Sequence, residues 1–114
     1  MRKGNLRTKV KPDTLSSVTE YFHVATRVGY EGALESGQYT PEGFAAEGFI
    51  HLCTQEQLPE VRARFQDKQR LVLLVIAAES IANDVRFENL YGHGEYPHLY
   101  SPLPVSAIVR VEQV

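Results

Sequence analysis

LVLLVIA, residues Leu71–Ala77, is a continuous apolar run that follows Lys68-Gln69-Arg70 and is separated only by Ala78 from the polar pair Glu79-Ser80. It is too short for a stable isolated helix. It also lacks the polar alternation of a strand with one wet face, so it predicts a central strand buried on both sides. Such a strand needs neighbours at its edges and cover on both faces, and the flanking sequence supplies candidates for each.

Upstream, YFHVATRV (residues 21–28) is rich in aromatic and β-branched residues and reads as the first strand. Gly29, Gly32, Gly37, Pro41 and Gly43 punctuate the next stretch, which limits YEGALESG (residues 30–37) to a helical turn. GFIHLCT (residues 48–54) reads as a buried strand with Phe49, His51 and Cys53 on one face and Ile50 and Leu52 on the other. Thr54 and Gln57 then have the spacing of a capping box, and Leu58, Val61 and Phe65 come after it on one helical stripe. Pro59 fits that helix only in its first turn. Downstream, VRFEN (residues 85–89) alternates with Val85 and Phe87 inward, YGHGEYP (residues 91–97) is a loop, and PVSAIVRV (residues 104–111) sets Val105, Ala107, Val109 and Val111 against Ser106, Ile108 and Arg110. The expected architecture is α+β, with five or six strands around one or two short helices.

The chain has 114 residues, 43% of them hydrophobic, with 12 Lys and Arg against 14 Asp and Glu. That is one domain's worth of chain. Charge is uneven: Arg2, Lys3, Arg7, Lys9 and Lys11 lie in residues 1–12 with no acid. Residues 1–18 are therefore expected to form a basic, flexible N-terminal arm capable of weak phosphate contact with a nucleic acid, and residues 19–114 a single domain. The acidic remainder argues against a broad nucleic-acid face. A single cysteine, Cys53, excludes a disulfide framework and zinc sites built on several cysteines. With no long apolar span and no signal-like N-terminus, a cytoplasmic protein that does not enter the membrane is expected.

Four histidines carry most of the chemical interest: His23, His51, His93 and His98. No two sit at i, i+4 on a predicted helix, so no metal is expected. Glu88 lies between Arg86 and Tyr91, where acid–base work would require it to face a cleft. Cys53 has no neighbouring base and reads as a small buried hydrophobe. Motifs of the form GxGxxG, GxxxxGK[ST], HExxH and GxSxG are all missing from the sequence.

GFIHLCTQEQL, LVLLVI, RFE and YPHLYSPLPVSAIVRV occur in an order that resembles a small bacterial family known as domain of unknown function number 952. The likeness runs over residues 21–111. Phe87 stands where that family commonly has tryptophan, and Ser101 where it usually has glycine. The family in turn looks like a compact ADP-ribosyltransferase, with two small antiparallel half-sheets around a cleft that holds NAD. YFHVAT resembles the first-strand motif whose histidine holds the NAD ribose, which puts His23 there. GFIHLCT resembles the IHFAT-type segment of RNA 2′-phosphotransferases, which puts His51 or Ile50 at the nicotinamide wall. YPHLYSPL lies where the His-Tyr-Glu class carries its catalytic glutamate, so His98 occupies that place.

A carboxylate stabilises an oxocarbenium-like centre better than an imidazole does, and Glu88 is the nearby candidate to supply the charge. The resemblance thus implies a domain binding NAD or a related phosphorylated nucleotide, with transfer or hydrolysis at the glycosidic or phosphate bond. The expected catalytic set is His51, Glu88 and His98, and the expected cofactor-binding set is His23, Thr54 and Tyr100. The rival reading is a non-catalytic nucleotide-binding or protein-interaction module.

Overall fold

A computed structural model describes residues 18–114. The basic arm assigned to residues 1–18 lies, apart from Val18, outside the described residues. In chain order the elements are β1 (Glu20–Thr26), α1 (Arg27–Ser36), β2 (Gln38–Tyr39), α2 (Phe44–Glu47), β3 (Ile50–His51), α3 (Leu58–Ala63), β4 (Leu71–Ala77), α4 (Ala78–Ile81), β5 (Val85–Glu88), β6 (Tyr96–Leu99), β7 (Leu103–Pro104) and β8 (Ile108–Glu112). The fold is α+β, and among the described residues all strand pairs are antiparallel.

The first sheet has the order β1-β4-β8. β1 pairs with β4 in unbroken register from Glu20↔Ala77 to Thr26↔Leu71, and β8 covers the other edge. As its unbroken apolar sequence requires, β4 feeds two cores. Val72, Leu74 and Ile76 pack into the larger one with Ile50, Leu99 and Leu103, while Leu73 and Val75 pack on the opposite face with Phe22, Cys53 and Leu58. The second sheet has the order β3-β6-β5, and β2 pairs with β7 in a short ribbon.

Residues 50–53 join the two larger sheets. Ile50 and His51 pair with Leu99 and His98 of β6, and the Leu52 N–H then donates to the Pro97 carbonyl at 3.0 Å. One residue on, Cys53 exchanges both backbone hydrogen bonds with Phe22 of β1, at 2.9 and 2.8 Å. The segment expected as one buried strand is thus a hand-over from one sheet to the other. That is why only two of its residues form a regular ladder, and why His51 is exposed although its neighbours are buried.

Other expectations are corrected by tertiary context. The first strand stops at Thr26, and Val28 lies in α1, a ten-residue helix in place of the single turn expected. Both of its ends are closed: the Gly29 N–H donates to Thr26 Oγ1 at 3.0 Å, and Gly37 ends it at φ +87°. A Cβ on Gly29 would stand 2.8 Å from that hydroxyl, so glycine here admits the cap. Thr54 and Gln57 make the reciprocal bonds of a capping box at 3.0 and 3.4 Å, but they close a turn one step ahead of α3, which starts with Pro59 in its first turn. Phe87 is 44% exposed, because β5 is a sheet edge that outruns the core. A tight turn at Val105–Ala107 breaks the alternation expected for the last strand, leaving Val109 and Val111 outward.

Candidate functional site

Where the two sheets meet, a cleft of about 560 Å³ opens, walled by β1, the residue 51–53 hand-over, α3, β6 and the loop between β5 and β6. A cleft of this size suits a small ligand. His23, His51, His93, His98 and Glu88 all line it, so all four histidines border one cleft.

His98 stands on the central strand of the second sheet and is almost wholly buried. Its Nδ1 lies 2.9 Å from Glu88 Oε1, and the Tyr100 hydroxyl donates to the same oxygen at 2.6 Å. A carboxylate only accepts, so the neutral imidazole carries its proton on Nδ1 and keeps a lone pair on Nε2. Nε2 has no protein partner among the described residues. Phe49 stacks on the ring at 4.3 Å between centroids and restrains its tilt. The Tyr100 hydroxyl, and after it His98, hold the Glu88 carboxyl below the usual carboxylate range, while the same bond pushes the Tyr100 phenol upward. The Arg86 guanidinium lies over the Tyr100 ring at 4.9 Å.

His51 faces His98 across the β3–β6 pair, with ring centroids 5.5 Å apart and the planes edge-on. Its Nε2 lies 3.1 Å from Glu47 Oε1 at the end of α2. Tyr91 approaches from the loop at 5.9 Å.

His23 is arranged differently. Its Nδ1 donates to the His51 carbonyl at 2.6 Å, which leaves Nε2 to accept from the Tyr39 hydroxyl at 2.8 Å. Burial lowers its pKa from 6.5 to about 4 and keeps the ring neutral. Its ring borders the cleft, but both nitrogens are spent holding β2 and the hand-over segment. Thr54 serves the turn before α3 and borders a separate small hollow with Thr19 and Glu20. Tyr100 acts on Glu88 from outside the cleft lining. Cys53 is buried, and burial pushes its thiol up to about 11, as expected for a small hydrophobe.

Several site residues escape a sequence reading. Arg64 brings a cation to the cleft wall, where its Nη2 donates to the Tyr96 hydroxyl at 3.1 Å, and that hydroxyl in turn donates to Glu60 at 3.3 Å. Phe65 and Tyr91 add aromatic surface. The stripe through Val61 and Phe65 signals this wall, although α3 ends at Ala63, before Phe65, and alternation puts Phe49 on the face of His51; nothing in the spacing marks Arg64, Tyr39 or Glu47. Among the described residues, no three His, Cys, Asp or Glu side chains form a group that could hold a metal ion.

A family model described as protein of unknown function (DUF952) matches residues 24–111. The chain belongs to the DUF952 family. This DUF952 chain is similar to CC0527 from Caulobacter crescentus: its crystal structure superposes with a TM-score of 0.74 at 34% identity, covering 83% of this chain and 85% of that one. The solution structure of CC0527 gives 0.71 at 33% identity, covering 83% and 84%. No curated protein matches. Neither the DUF952 description nor the name CC0527 carries an activity, so the ADP-ribosyltransferase likeness and its NAD ligand rest on the sequence motifs alone.

Proposed function

We propose that this DUF952 domain is an ADP-ribosyltransferase-like, nucleotide-processing enzyme whose cleft takes NAD or a related phosphorylated nucleotide and works at its glycosidic or phosphate bond. The observation that carries the reading is the Glu88–His98 pair: a buried imidazole with its tautomer fixed by a carboxylate and its second nitrogen unpartnered, among the described residues, beside a cleft. That arrangement suits a general base. His98 Nε2 takes a proton from the attacking water or hydroxyl, and Glu88 stabilises the imidazolium that forms. Arg64 supplies positive charge for a phosphate, and Phe65, Tyr91 and Tyr96 supply aromatic surface for a base. His23 acts through the His51 carbonyl, keeping the hand-over segment beside the cleft.

The test is a melting-temperature screen over NAD, NADP, ADP-ribose and nucleoside phosphates, with product analysis for nicotinamide release or loss of phosphate. Concentration-dependent stabilisation with turnover is the expected outcome. Glu88→Gln keeps the shape and removes the charge, so turnover should fall by about 100-fold or more while affinity changes little. Stabilisation without turnover would make the domain a binding module, and no stabilisation by any of these ligands would overturn the reading.

A further inference from the structure

At the edge of the cleft His51 makes a second carboxylate–imidazole pair, with Glu47 outside the lining. Glu47 Oε1 binds His51 Nε2 at 3.1 Å, as Glu88 Oε1 binds His98 Nδ1 at 2.9 Å, and the two rings lie 5.5 Å apart, edge-on. Each imidazole thus has one nitrogen taken by a carboxylate and one with no protein partner among the described residues: Nδ1 of His51 and Nε2 of His98. Phe49 touches both rings, stacked on His98 and edge-on to His51 at 4.9 Å, which fixes their relation. His51 is half exposed while His98 is buried, so one imidazole stands at the mouth of the cleft and the other at its floor.

Two imidazoles so placed can supply a base and an acid to one reaction. The glycosidic and the phosphate bond differ in whether they need both. Nicotinamide leaves NAD as a neutral ring without taking up a proton, so a second imidazole has no leaving group to protonate. That step instead asks for a carboxylate aimed at the ribose and makes no use of the His51 imidazole. An alkoxide leaving from phosphorus needs a proton as the P–O bond breaks. Resting on the nucleotide reading of the cleft, we propose that His98 and His51 form a base–acid pair for cleaving phosphodiesters whose ribose carries a neighbouring free hydroxyl.

In this step His98 Nε2 removes the proton of the 2′-hydroxyl, and its oxygen forms a bond to phosphorus. The P–O bond to the departing nucleoside breaks, the electron pair goes to that oxygen, and His51, in its imidazolium form, delivers the Nδ1 proton to it. The products are a cyclic phosphate and an alcohol, with His98 left protonated and His51 neutral. Water then opens the cyclic ester with the two roles reversed. Arg64 meets the phosphate charge. Glu88 and Glu47 are positioning residues. The charged or titratable groups around the pair are these two carboxylates, Tyr91 beside His51, His23 on the His51 carbonyl, Tyr100 on Glu88, Arg86 opposite His98 in the β5–β6 register, and His93, Arg64 and Tyr96 along the same cleft.

The experiment incubates the full chain with a diribonucleoside monophosphate and with its 2′-deoxy analogue, tracks cyclic phosphate and released nucleoside chromatographically across about pH 4.5–8.5, a window spanning imidazole titration, and measures the melting temperature with AMP in parallel. The proposal expects cleavage of the ribo substrate only, with a bell-shaped profile. His51→Asn, at a half-exposed position, should lower the rate by about 100-fold or more and remove the alkaline limb. Glu47→Gln, which loosens the hold on His51 Nε2, should lower kcat with KM and melting temperature little changed, a split that a loss of folding would not produce. Absence of cleavage while AMP still stabilises the protein would overturn the proposal and leave the nucleotide reading standing. Equal cleavage of the deoxy analogue, or full activity in His51→Asn, would also overturn it. No cleavage, together with no stabilisation by AMP or by any other ligand of the nucleotide screen, would defeat both readings.

Discussion

A histidine whose two ring nitrogens are both spent inside the protein has its charge fixed along with its position. His23 donates to the His51 carbonyl and accepts from Tyr39, and burial lowers its pKa from 6.5 to about 4. Between those values the unfolded chain binds a proton at this site and the folded chain does not. The stability His23 carries is therefore complete above about pH 6.5 and is lost as pH falls toward about 4, by up to about 3 kcal/mol. Urea unfolding from about pH 7 to about pH 4 should show this slope, and His23→Gln should flatten it; an unchanged slope in the variant would assign the loss to other groups. Tyr39→Phe leaves Nε2 without its donor and should cost about 1–3 kcal/mol. His23, His51, Glu88 and His98 are legible in the sequence as residue types on strands. The partners of His23 and His51 are not, because Tyr39 and Glu47 come from elements whose approach only the folded chain decides.

At the scale of elements, legibility tracks how much a segment depends on its own residues. β4 is readable with its bounds and its double burial because seven apolar residues leave no other solution. α1 is not, because its glycines lower helix propensity, and the caps that compensate lie at its ends. Thr26→Ala should therefore cost about 1 kcal/mol in urea unfolding. Gly29→Ala tests the same cap from the other side, since intrinsic propensity favours alanine by about 1 kcal/mol, whereas the added Cβ meets Thr26 Oγ1 at 2.8 Å. Net destabilisation is expected, and a more stable Gly29→Ala protein would mean that the hydroxyl moves aside freely. The last strand misleads for a third reason: the turn at Val105–Ala107 shifts the phase of an alternation that otherwise looks continuous.

For the whole molecule, the decisive feature is the hand-over at residues 50–53, which belongs to neither sheet alone. It brings His51 beside His98, ties Cys53 to β1, and leaves the cleft at the junction, with α3 and the loop after β5 as its rim. GFIHLCT is marked as a strand by its residues, but no local pattern says that a strand changes partners midway. The cleft, and Arg64 on its wall, are hidden from the sequence for that reason. The proposed site requires that a nucleotide meet the open nitrogens of His98 and His51, with His23 serving only to hold the frame. Imidazole nitrogen NMR of histidine-labelled protein, titrated with AMP and with NAD, tests this most directly. Saturable shifts are predicted at Nε2 of His98 and Nδ1 of His51, with both nitrogens of His23 unmoved. No imidazole shift at millimolar nucleotide, or a shift at His23 alone, would contradict it.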